Sequence, residues 1–534
     1  MGKYLKANWQ KVALLIFLMA ITELFTVLAS VFNANSLNAL VTHNLKNFFY
    51  QILFLLLVWV AVIFFSYLVA NYTQVVIQDI DISIRHHITK KIEKLSYKEF
   101  HNKNTGAYVS WLNNDITIIN SSGLKSLFTV IEGVFGVTFA LITLTTYHWS
   151  LTLTAIVMAF IIILAPKIMD RRLQNSNEAL TKENEQFVSQ VEDVLSGFNF
   201  LYALFALPMV TQHVKKASLD LKKANVHLTR TQTIVQIIGF TGNVLSQVLL
   251  IGLSGFLALH GFVKIGTLMA VGALSGNVFN NLGNMSTYLG SMRGVKPLFR
   301  KYDQLIPSDR LSKEKNTVPL APSVAAIRAL NVSFKYQDKP IIRNFSYTFL
   351  AQKKYLILGA SGTGKSTLLK LIADYNTDFT GTLSLFGKNY QDLSQQTILS
   401  RILYLDQQPR LLNATVRQNL QLLDHFSEES LAQVLVETNL IQSLADAPQF
   451  LEINVGEDGI NLSGGQKQRL ALARGLLRHD IKIILMDEST SSVDAKTAAK
   501  IEADLLTNSN LTVIMVSHTP HQENMKLFDD IIRM

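Results

Sequence analysis

The clearest pattern in this chain is a change from long apolar runs in the first 300 residues to short mixed segments after residue 320. Most of the runs reach the roughly 20 residues that a helix needs to cross about 30 Å of hydrocarbon. The pattern therefore predicts an all-α membrane domain with six spanning helices, followed by an α/β domain. The six runs are Val12–Phe32, Phe48–Ala70, Leu127–Tyr147, Trp149–Ala165, Ile234–His260 and Gly266–Leu289.

The charges between the runs predict the orientation of the chain. Two long segments, 71–125 and 166–233, are rich in Lys and Arg, whereas the short loops on the other side offer only Lys46 and Lys264. Because Lys and Arg collect in cytoplasmic loops, both long segments and the C-terminal domain are expected to be cytoplasmic. The chain is therefore predicted to be a multi-pass protein of the cell membrane.

Composition agrees with a membrane domain joined to a second domain. Hydrophobic residues make up 49% and charged residues 16% of the chain, against a usual charged fraction of about 25%. Residues 1–300 form the predicted membrane domain, 301–326 a Pro-containing charged linker, and 327–534 the second domain. The net charge of +10 lies largely in the cytoplasmic loops, so nucleic acid is not needed to explain it. With no Cys in the chain, disulfides, thiolate metal sites and a Cys nucleophile are excluded.

A phosphate-binding motif opens the chemistry of the second domain. Residues 359–366 (GASGTGKS) match G-x-x-x-x-G-K-[ST], after the apolar run Tyr355–Leu358 and before the helical run Thr367–Ile372. In such a loop the backbone N–H groups surround a phosphate, and the helix N-terminus adds partial positive charge. Lys365 is expected to reach the β- and γ-phosphates, and the Ser366 hydroxyl to bind Mg²⁺.

Two carboxylates follow a second buried run. Ile481–Met486 is predicted to be a strand, and it ends in Asp487 and Glu488. Beside a phosphate loop, the first carboxylate suits the Mg²⁺ shell, and the second can polarise a water that attacks the γ-phosphate. Taken alone, Asp-Glu after a strand would more often be ordinary helix capping.

A third motif, Leu462–Gln466 (LSGGQ), precedes the predicted helix Lys467–Arg478. A Gly turn at a helix N-terminus is another anion site, which one nucleotide in one phosphate loop does not need. The motif is therefore predicted to cover the phosphate held by another copy of the domain.

Together these motifs resemble those of the ATP-binding cassette (ABC) exporter half-transporters, in which a membrane domain precedes a nucleotide-binding domain. The resemblance covers essentially the whole chain, and LSGGQ between the two Walker motifs is highly specific. It implies a six-helix transmembrane domain, an α/β P-loop NTPase (ABC ATPase) domain, ATP and Mg²⁺ as cofactors, and ATP hydrolysis coupled to transport.

The resemblance also implies roles for residues outside the three motifs. Tyr336 would stack on adenine, Gln407 would link Mg²⁺ to the membrane domain, Asp494 would belong to the D-loop, and His518 would contact the γ-phosphate; a core tyrosine is the alternative for Tyr336. The predicted catalytic residues are Glu488, His518 and Gln407; the nucleotide-binding residues are Tyr336, Gly359, Ser361, Gly362, Thr363, Gly364, Lys365, Ser366, Thr367, Ser463, Gly464, Gly465, Gln466 and Asp494; the metal ligands are Ser366, Gln407 and Asp487.

The chain also departs from the family pattern. Asp406 stands where family members often have Pro, and the D-loop has the sequence SSVD instead of the commoner SALD. Relatives usually continue further after the position of His518, so the nucleotide domain is expected to be C-terminally short, with Phe528–Met534 starting its next strand.

The resemblance places coupling helices at the tips of the two cytoplasmic loops. Gly106–Asp115 and Ala203–Thr211 are the predicted segments, the second docking into the partner chain. Trp111 has a second interpretation as a hydrophobic anchor at a helix bend, and the two interpretations are compatible.

Polar residues inside the apolar runs are candidates for the substrate path. Glu23 would be costly in hydrocarbon, so it is expected to face a cavity or a partner group. Asn277, Asn280, Asn281 and Asn284 are spaced to share one helix face. A wet cavity wall and interhelical amide bonding are both open interpretations of that stripe.

The sequence therefore predicts ATP-driven export of a small amphipathic molecule, lipid or peptide by alternating access. An importer of the same architecture and an ATP-gated regulator are the alternatives. The expected partners are a lipid bilayer and a second half-transporter, with a homodimer favoured and a heterodimer left open.

Overall fold

The structure is a computed structural model that describes residues 1–303, 305, 324–336, 339–478, 480–489, 495–517 and 520–534. The chain divides into two compact units. We call them the membrane unit, Met1–Thr89 with Gly106–Gln304, and the nucleotide unit, Lys90–Thr105 with Leu305–Met534.

The first 303 residues are almost entirely helical. The helices are α1 (Gly2–Ala7), α2 (Trp9–Val41), α3 (Leu45–Ile92), α4 (Tyr97–His101), α5 (Thr105–Ser110), α6 (Ile116–Ile118), α7 (Lys125–Tyr147), α8 (Trp149–Leu164), α9 (Asp170–Ser196), α10 (Phe198–Ala203), α11 (Pro208–Leu259) and α12 (Thr267–Asp303). Two π-helical turns, Trp111–Asp115 and Ile119–Leu124, flank α6.

Each of the six apolar runs falls in one of these helices. Among the residues described, four helical stretches are long and apolar enough to cross a membrane: Trp9–Val41, Leu45–Ile92, Thr105–Tyr147 and Pro208–Leu259. Helix α8 is apolar but has only 16 residues, so the fourth and sixth spanning helices, in α8 and α12, stay predictions.

The spanning helices continue far beyond the bilayer. Helix α3 has 48 residues and α11 has 52, which at 1.5 Å per residue gives each a length of more than about 70 Å. The part of α3 after its apolar run and the part of α11 before its apolar run carry basic residues of the two long loops, as expected for cytoplasmic extensions.

The nucleotide unit combines two sheets with short helices. Its strands are β1 (Ala325–Tyr336), β2 (Lys339–Leu350), β3 (Lys354–Leu358), β4 (Phe379–Leu385), β5 (Lys388–Asn389), β6 (Ile402–Leu405), β7 (Ile483–Asp487), β8 (Thr512–Val516) and β9 (Asp530–Arg533). Besides α4, its helices are α13 (Lys365–Ile372), α14 (Gln395–Leu399), α15 (Val416–Gln421), α16 (Glu428–Glu437), α17 (Ala447–Leu451), α18 (Gly464–Leu476) and α19 (Ala495–Thr507).

The parallel sheet positions the candidate site. Its strand order is β6-β7-β8-β3-β9, and an antiparallel sheet of order β2-β1-β4-β5 packs beside it around a shared apolar core. Strands β3, β6 and β7 are followed by the phosphate loop, by Gln407 and by Glu488, respectively. In a parallel sheet the carboxyl ends of the strands lie at one edge, so these residues meet there.

The coupling segment differs from the sequence expectation. The stretch that packs within the nucleotide unit is Lys90–Thr105, whereas Gly106–Asp115 belongs to the membrane unit. The reason is local: the Trp111 ring is buried and lies 5.7 Å from the ring of Tyr302, at the end of α12. The buried carboxylate of Asp115 also accepts a hydrogen bond from the Tyr302 hydroxyl at 3.0 Å. Trp111 is thus a hydrophobic anchor between its π-helical turn and the end of α12, which is the anchoring role of its second interpretation.

Candidate nucleotide site

The phosphate loop has the backbone that its glycines allow. Gly362 and Gly364 have φ values of +85° and +98°, a left-handed region that residues with a Cβ rarely adopt. Helix α13 starts directly after Gly364, so its first N–H groups point back toward the loop. The Lys365 amino group lies over the loop and donates to the carbonyl oxygens of Gly359 and Ala360 at 2.8 and 2.9 Å.

The other loop residues complete this turn. Thr363 donates its hydroxyl to the carbonyl of Ala360 at 3.0 Å. Ser361 is exposed, and Thr367 is half-buried in the first turn of α13. The loop therefore presents a concave backbone surface with its lysine already directed inward.

Asp487 is the centre of a hydrogen-bonded corner. Its Oδ1 accepts from the Ser366 hydroxyl and its Oδ2 from the Tyr404 hydroxyl, both at 2.8 Å. The carboxylate is buried, with 6% of the residue exposed. Burial and the adjacent Asp487 charge raise the pKa of Tyr404, so its phenol stays protonated and acts as the donor.

Tyr404 was not among the residues that the sequence pointed to. It lies in β6, three residues before Gln407, and no motif marks that position. Register explains its place: Tyr404 pairs with Leu485 on the adjacent strand β7, two residues before Asp487. Only the pairing of β6 with β7 brings the phenol to the carboxylate.

The same register brings Gln407 to Glu488. Leu405 pairs with Met486 in the β6–β7 ladder, and two residues further on the Gln407 Nε2 donates to the Glu488 Oε2 at 3.1 Å. Glu488 has φ of +50°, and a non-glycine residue in this region is held there by its surroundings. Its amide donates to the carbonyl of Val516, at the end of β8, at 3.1 Å.

Tyr336 lies at the loop end of the β1–β2 hairpin. Its hydroxyl accepts from the Asn376 Nδ2 at 3.1 Å, and 49% of the residue is exposed. Ile341, in the same hairpin, lies beside the phosphate loop: a Cβ added to Gly364 would be 3.0 Å from the Cγ2 of Ile341. The ring is therefore an exposed face near the phosphate loop, in contrast to the alternative of a core tyrosine.

The signature motif forms the start of α18. The Ser463 hydroxyl accepts from the Gln466 amide at 3.2 Å, and the Gln466 Oε1 accepts from the Ser463 amide at 2.9 Å. This reciprocal capping box fixes the turn. Gly464 is exposed and Gly465 is buried, so the turn offers open backbone on one side only.

Two predicted residues, Asp494 and His518, lie outside the described residues, as does most of the predicted linker. The structure brings the other predicted residues of the nucleotide unit together in two groups. The first surrounds the phosphate loop and the ends of β6 and β7, and the second is the signature turn.

In the membrane unit the asparagine stripe divides between two neighbours. Asn277 donates to the Glu23 Oε2 at 3.3 Å, and Asn281 donates to Asn277 at 2.6 Å. Asn280 instead accepts from Asn243 of α11 at 2.5 Å. Asn284 donates to the carbonyl of Asn280 at 3.1 Å.

Asn280 and Asn284 also line a cleft between α11 and α12. The cleft has a volume of about 430 Å³, and its walls combine amides with the exposed side chains of Ile237 and Phe240. Sequence patterns do not point to Asn243, because one Asn in a long apolar run does not reveal its neighbour.

Comparison with known proteins places the chain in a family. The model of the ABC transporter transmembrane region matches residues 12–282, and the ABC transporter model matches residues 342–491. The chain therefore belongs to the ABC transporter family, with the membrane region fused ahead of the ATP-binding region in one polypeptide.

Individual relatives agree in architecture. An ATP-dependent lipid A-core flippase of Haemophilus influenzae (strain 86-028NP) is 26% identical over 454 residues, covering 82% of this chain and 75% of the relative. An uncharacterized ABC transporter ATP-binding protein of Bacillus subtilis (strain 168) is 24% identical over 476 residues, covering 85% and 79%. The fold matches a bacterial Atm1-family ABC exporter with ATP bound, at a TM-score of 0.76 and 19% identity, over 96% of this chain and 91% of that one.

These findings confirm the resemblance inferred from the motifs. The chain is a half-transporter of exporter architecture that binds ATP and couples its hydrolysis to transport. It is a multi-pass membrane protein with a cytoplasmic nucleotide domain, and a half-transporter functions as a dimer in a lipid bilayer.

Proposed function

We propose that this protein exports an amphipathic molecule, such as a lipid, a drug-like compound or a peptide, across the cytoplasmic membrane by alternating access. The observation that carries the proposal is the corner formed by Ser366, Asp487, Gln407 and Glu488, in a chain that also contains a membrane unit. Hydrolysis of ATP at this corner can drive the membrane unit through its alternating-access cycle.

The residues of this corner fit Mg²⁺ bound with ATP. The hydroxyl of Ser366 and the carboxylate of Asp487 lie 2.8 Å apart. Gln407 carries an amide oxygen, and its amide nitrogen bonds to Glu488, the residue after Asp487. Oxygen ligands of this kind are those that Mg²⁺ prefers. When bound, Mg²⁺ neutralises charge that develops on the β- and γ-phosphate oxygens. We assign Ser366, Asp487 and Gln407 to hold it.

The protein's own groups divide the remaining work. The Lys365 ammonium and the loop amides bind and orient the phosphates, and the Tyr336 face stacks on the base. Glu488 accepts a hydrogen bond from the attacking water and polarises it. Gln407 holds the Glu488 carboxylate in place through its 3.1 Å hydrogen bond. His518 and Asp494 keep the roles on the γ-phosphate and at the dimer interface that the family resemblance implies.

A second copy of the chain is the proposed partner. One chain supplies both the phosphate loop and the signature turn Ser463–Gln466, so two identical chains can complete each other's sites. The tip of the second cytoplasmic loop supports this pairing, because Leu204 and Phe205 are 71% and 95% exposed. Large exposed apolar groups in a cytoplasmic loop are typical of a docking surface. We propose that this loop tip docks onto the nucleotide domain of the partner. Native mass spectrometry of the purified protein tests the homodimer, and a stable complex with a different half-transporter would refute it.

The membrane unit supports an amphipathic cargo. The cleft between α11 and α12 offers the amides of Asn280 and Asn284 for a polar part and the exposed side chains of Ile237 and Phe240 for an apolar part. We assign Glu23 to the path as a second polar group, because its carboxylate accepts a hydrogen bond from Asn277, in the same stripe of asparagines. The relatives named as lipid A-core flippases add a lipid to the candidate cargoes.

The test is transport in inverted membrane vesicles, with labelled lipid, drug-like and peptide cargoes supplied outside. ATP-dependent accumulation of one class inside the vesicles is expected, because the nucleotide domain then faces the medium. ATP-dependent release of the same cargoes from vesicles loaded with them beforehand would show an importer. ATP hydrolysis stimulated by none of the classes, with no movement of any, would favour an ATP-gated regulator.

A further inference from the structure

Tyr404 makes a half-buried polar contact that the proposed mechanism does not use. Each oxygen of the Asp487 carboxylate accepts one hydroxyl hydrogen bond, Oδ1 from Ser366 and Oδ2 from Tyr404. The Ser366 hydroxyl is assigned to Mg²⁺, so the Tyr404 hydroxyl is the donor that stays with the carboxylate. Hydrogen bonds from a neutral donor to a charged acceptor are stronger than those between neutral groups.

The ring of Tyr404 is one end of a column of aromatic side chains. Tyr375 meets it edge-on, with ring centroids 5.2 Å apart. The ring of Tyr97 stacks on Tyr375 at 4.5 Å and 18°, and the ring of His101 stacks on Tyr97 at 4.0 Å. Aromatic pairs at these separations are attractive, so each ring limits the movement of the next.

Tyr97 starts α4, in the segment Lys90–Thr105 that packs within the nucleotide unit. A capping box between Ser96 and Glu99 fixes the first turn of α4. Beside Tyr97, Lys98 forms an exposed ion pair with Asp378. The chain on either side of this segment belongs to the membrane unit, so Tyr97 lies in the segment that joins two parts of that unit.

We infer that Tyr404 is a positioning residue for the magnesium carboxylate and that the Tyr97–Tyr375 column holds it in place. The inference rests on the proposed role of Asp487 as a magnesium ligand. A carboxylate on a strand end can rotate about its side-chain torsions, and the phenol fixes one oxygen so that the other faces Ser366. The segment that links two parts of the membrane unit then influences the affinity of the site for Mg²⁺.

The test is the magnesium dependence of nucleotide binding by the full-length protein in lipid nanodiscs. Binding of a fluorescent ATP analogue is measured without Mg²⁺ and across a Mg²⁺ titration. Tyr404→Phe keeps the ring and removes the hydroxyl, and we expect it to raise the half-saturating Mg²⁺ concentration about 10-fold. Binding without Mg²⁺ is expected to stay within about twofold of the parent, because the phenol does not contact the phosphate loop. An unchanged or lower half-saturating Mg²⁺ concentration would overturn the inference.

Tyr347→Phe is the matched control. The Tyr347 hydroxyl also donates to a carboxylate, that of Asp530. Asp530 pairs with Tyr355 near the start of β3, whereas the phosphate loop follows the end of that strand. This control is expected to match the parent in Mg²⁺ titration, which separates loss of a particular hydrogen bond from loss of any tyrosine hydroxyl.

The column is tested from its far end. Tyr97→Ala is expected to raise the half-saturating Mg²⁺ concentration about threefold, and Tyr97→Ala with Tyr404→Phe to do no more than Tyr404→Phe alone, because both act through one contact. Lys98→Ala removes the neighbouring ion pair, leaves the rings and is expected to match the parent. Additive effects of the two tyrosine changes, or equal effects of Tyr97→Ala and Lys98→Ala, would refute the column.

Asp487→Asn separates this inference from the proposed function. If Asp487→Asn leaves the Mg²⁺ titration unchanged, the assigned magnesium site itself is wrong, and the inference falls with it. If Asp487→Asn abolishes the Mg²⁺ dependence while Tyr404→Phe behaves like the parent, only the inference fails. If Tyr404→Phe loses binding without Mg²⁺, its fold is damaged, and the remote Tyr97→Ala change decides the matter by the criteria above.

Discussion

The two glycines of the phosphate loop provide a comparison in which backbone strain and steric contact are separated. Gly362 and Gly364 both have positive φ, so an alanine at either position costs about 1–2 kcal/mol in backbone strain. A Cβ at Gly362 meets nothing within 4 Å, but at Gly364 it lies 3.0 Å from the Ile341 Cγ2 and 3.2 Å from the Ile341 carbonyl oxygen. Overpacking of this kind costs about 1–3 kcal/mol more. Gly364→Ala should therefore destabilise the loop and the start of α13 by about 2–5 kcal/mol, and Gly362→Ala by about 1–2 kcal/mol.

Hydrogen exchange of the full-length protein in nanodiscs, without nucleotide, measures the difference. The informative amide is that of Leu368, which donates to the carbonyl of Gly364 at 2.8 Å in the first turn of α13. Its exchange is expected to be about 5- to 150-fold faster in Gly364→Ala than in Gly362→Ala, as a difference of about 1–3 kcal/mol requires. Equal acceleration in both variants would show that the contact with Ile341 does not constrain the loop.

Two further predictions concern the membrane unit and the helical part of the nucleotide unit. An added methyl at Gly136 would lie 2.7 Å from the Glu23 Oε2, so Gly136→Ala should reduce cargo-stimulated ATPase activity several-fold. Gly255→Ala is the control, because the added methyl has its nearest neighbour at 3.8 Å. If cargo stimulates the ATPase activity of Gly136→Ala as strongly as that of the parent, the assignment of Glu23 to the substrate path is wrong. Asn419 is fully buried and accepts from the Arg474 Nη2 at 2.8 Å. Asn419→Ala should lower the free energy of unfolding by about 2 kcal/mol, which corresponds to a fall of about 4–8 °C in the thermal midpoint. A fall of less than about 1 °C in the thermal midpoint would contradict this prediction.

The parts of the site that the sequence predicts are those whose chemistry needs a fixed local spacing. The phosphate loop, the Asp487–Glu488 pair and the signature turn each lie within a few consecutive residues, so their pattern is visible without the fold. The structure places each of them next to a strand end or a helix start, where the local pattern puts it.

Contacts made through strand register are not visible in this way. Tyr404 reaches Asp487, and Gln407 reaches Glu488, because β6 pairs with β7 in a particular register. Gln407 was expected only through resemblance to a family, and Tyr404 was not expected at all. A tyrosine in a β-strand has the same local pattern whether its hydroxyl meets a carboxylate or water.

The membrane unit shows the same limit for helices. Spacing alone puts the four asparagines on one face of α12, but a face can contact two neighbours. Asn277 donates a hydrogen bond to Glu23 of α2, and Asn280 accepts one from Asn243 of α11. The coupling segment shows a related limit: the family resemblance places it at Gly106–Asp115, but the Trp111 ring in that segment packs on Tyr302 of the membrane unit.

The central claim is that Glu488 polarises the water that hydrolyses ATP and that this step drives transport. Its most direct test is ATPase activity and ATP binding measured on one preparation of Glu488→Gln in nanodiscs, with the exposed Glu437→Gln as control. Removing a general base costs about 10²- to 10⁴-fold in rate, whereas Lys365 and Ser366 are untouched. The account predicts ATP binding within about twofold of the parent, and hydrolysis at about 1% of the parental rate or less. Hydrolysis at the parental rate in Glu488→Gln would contradict it.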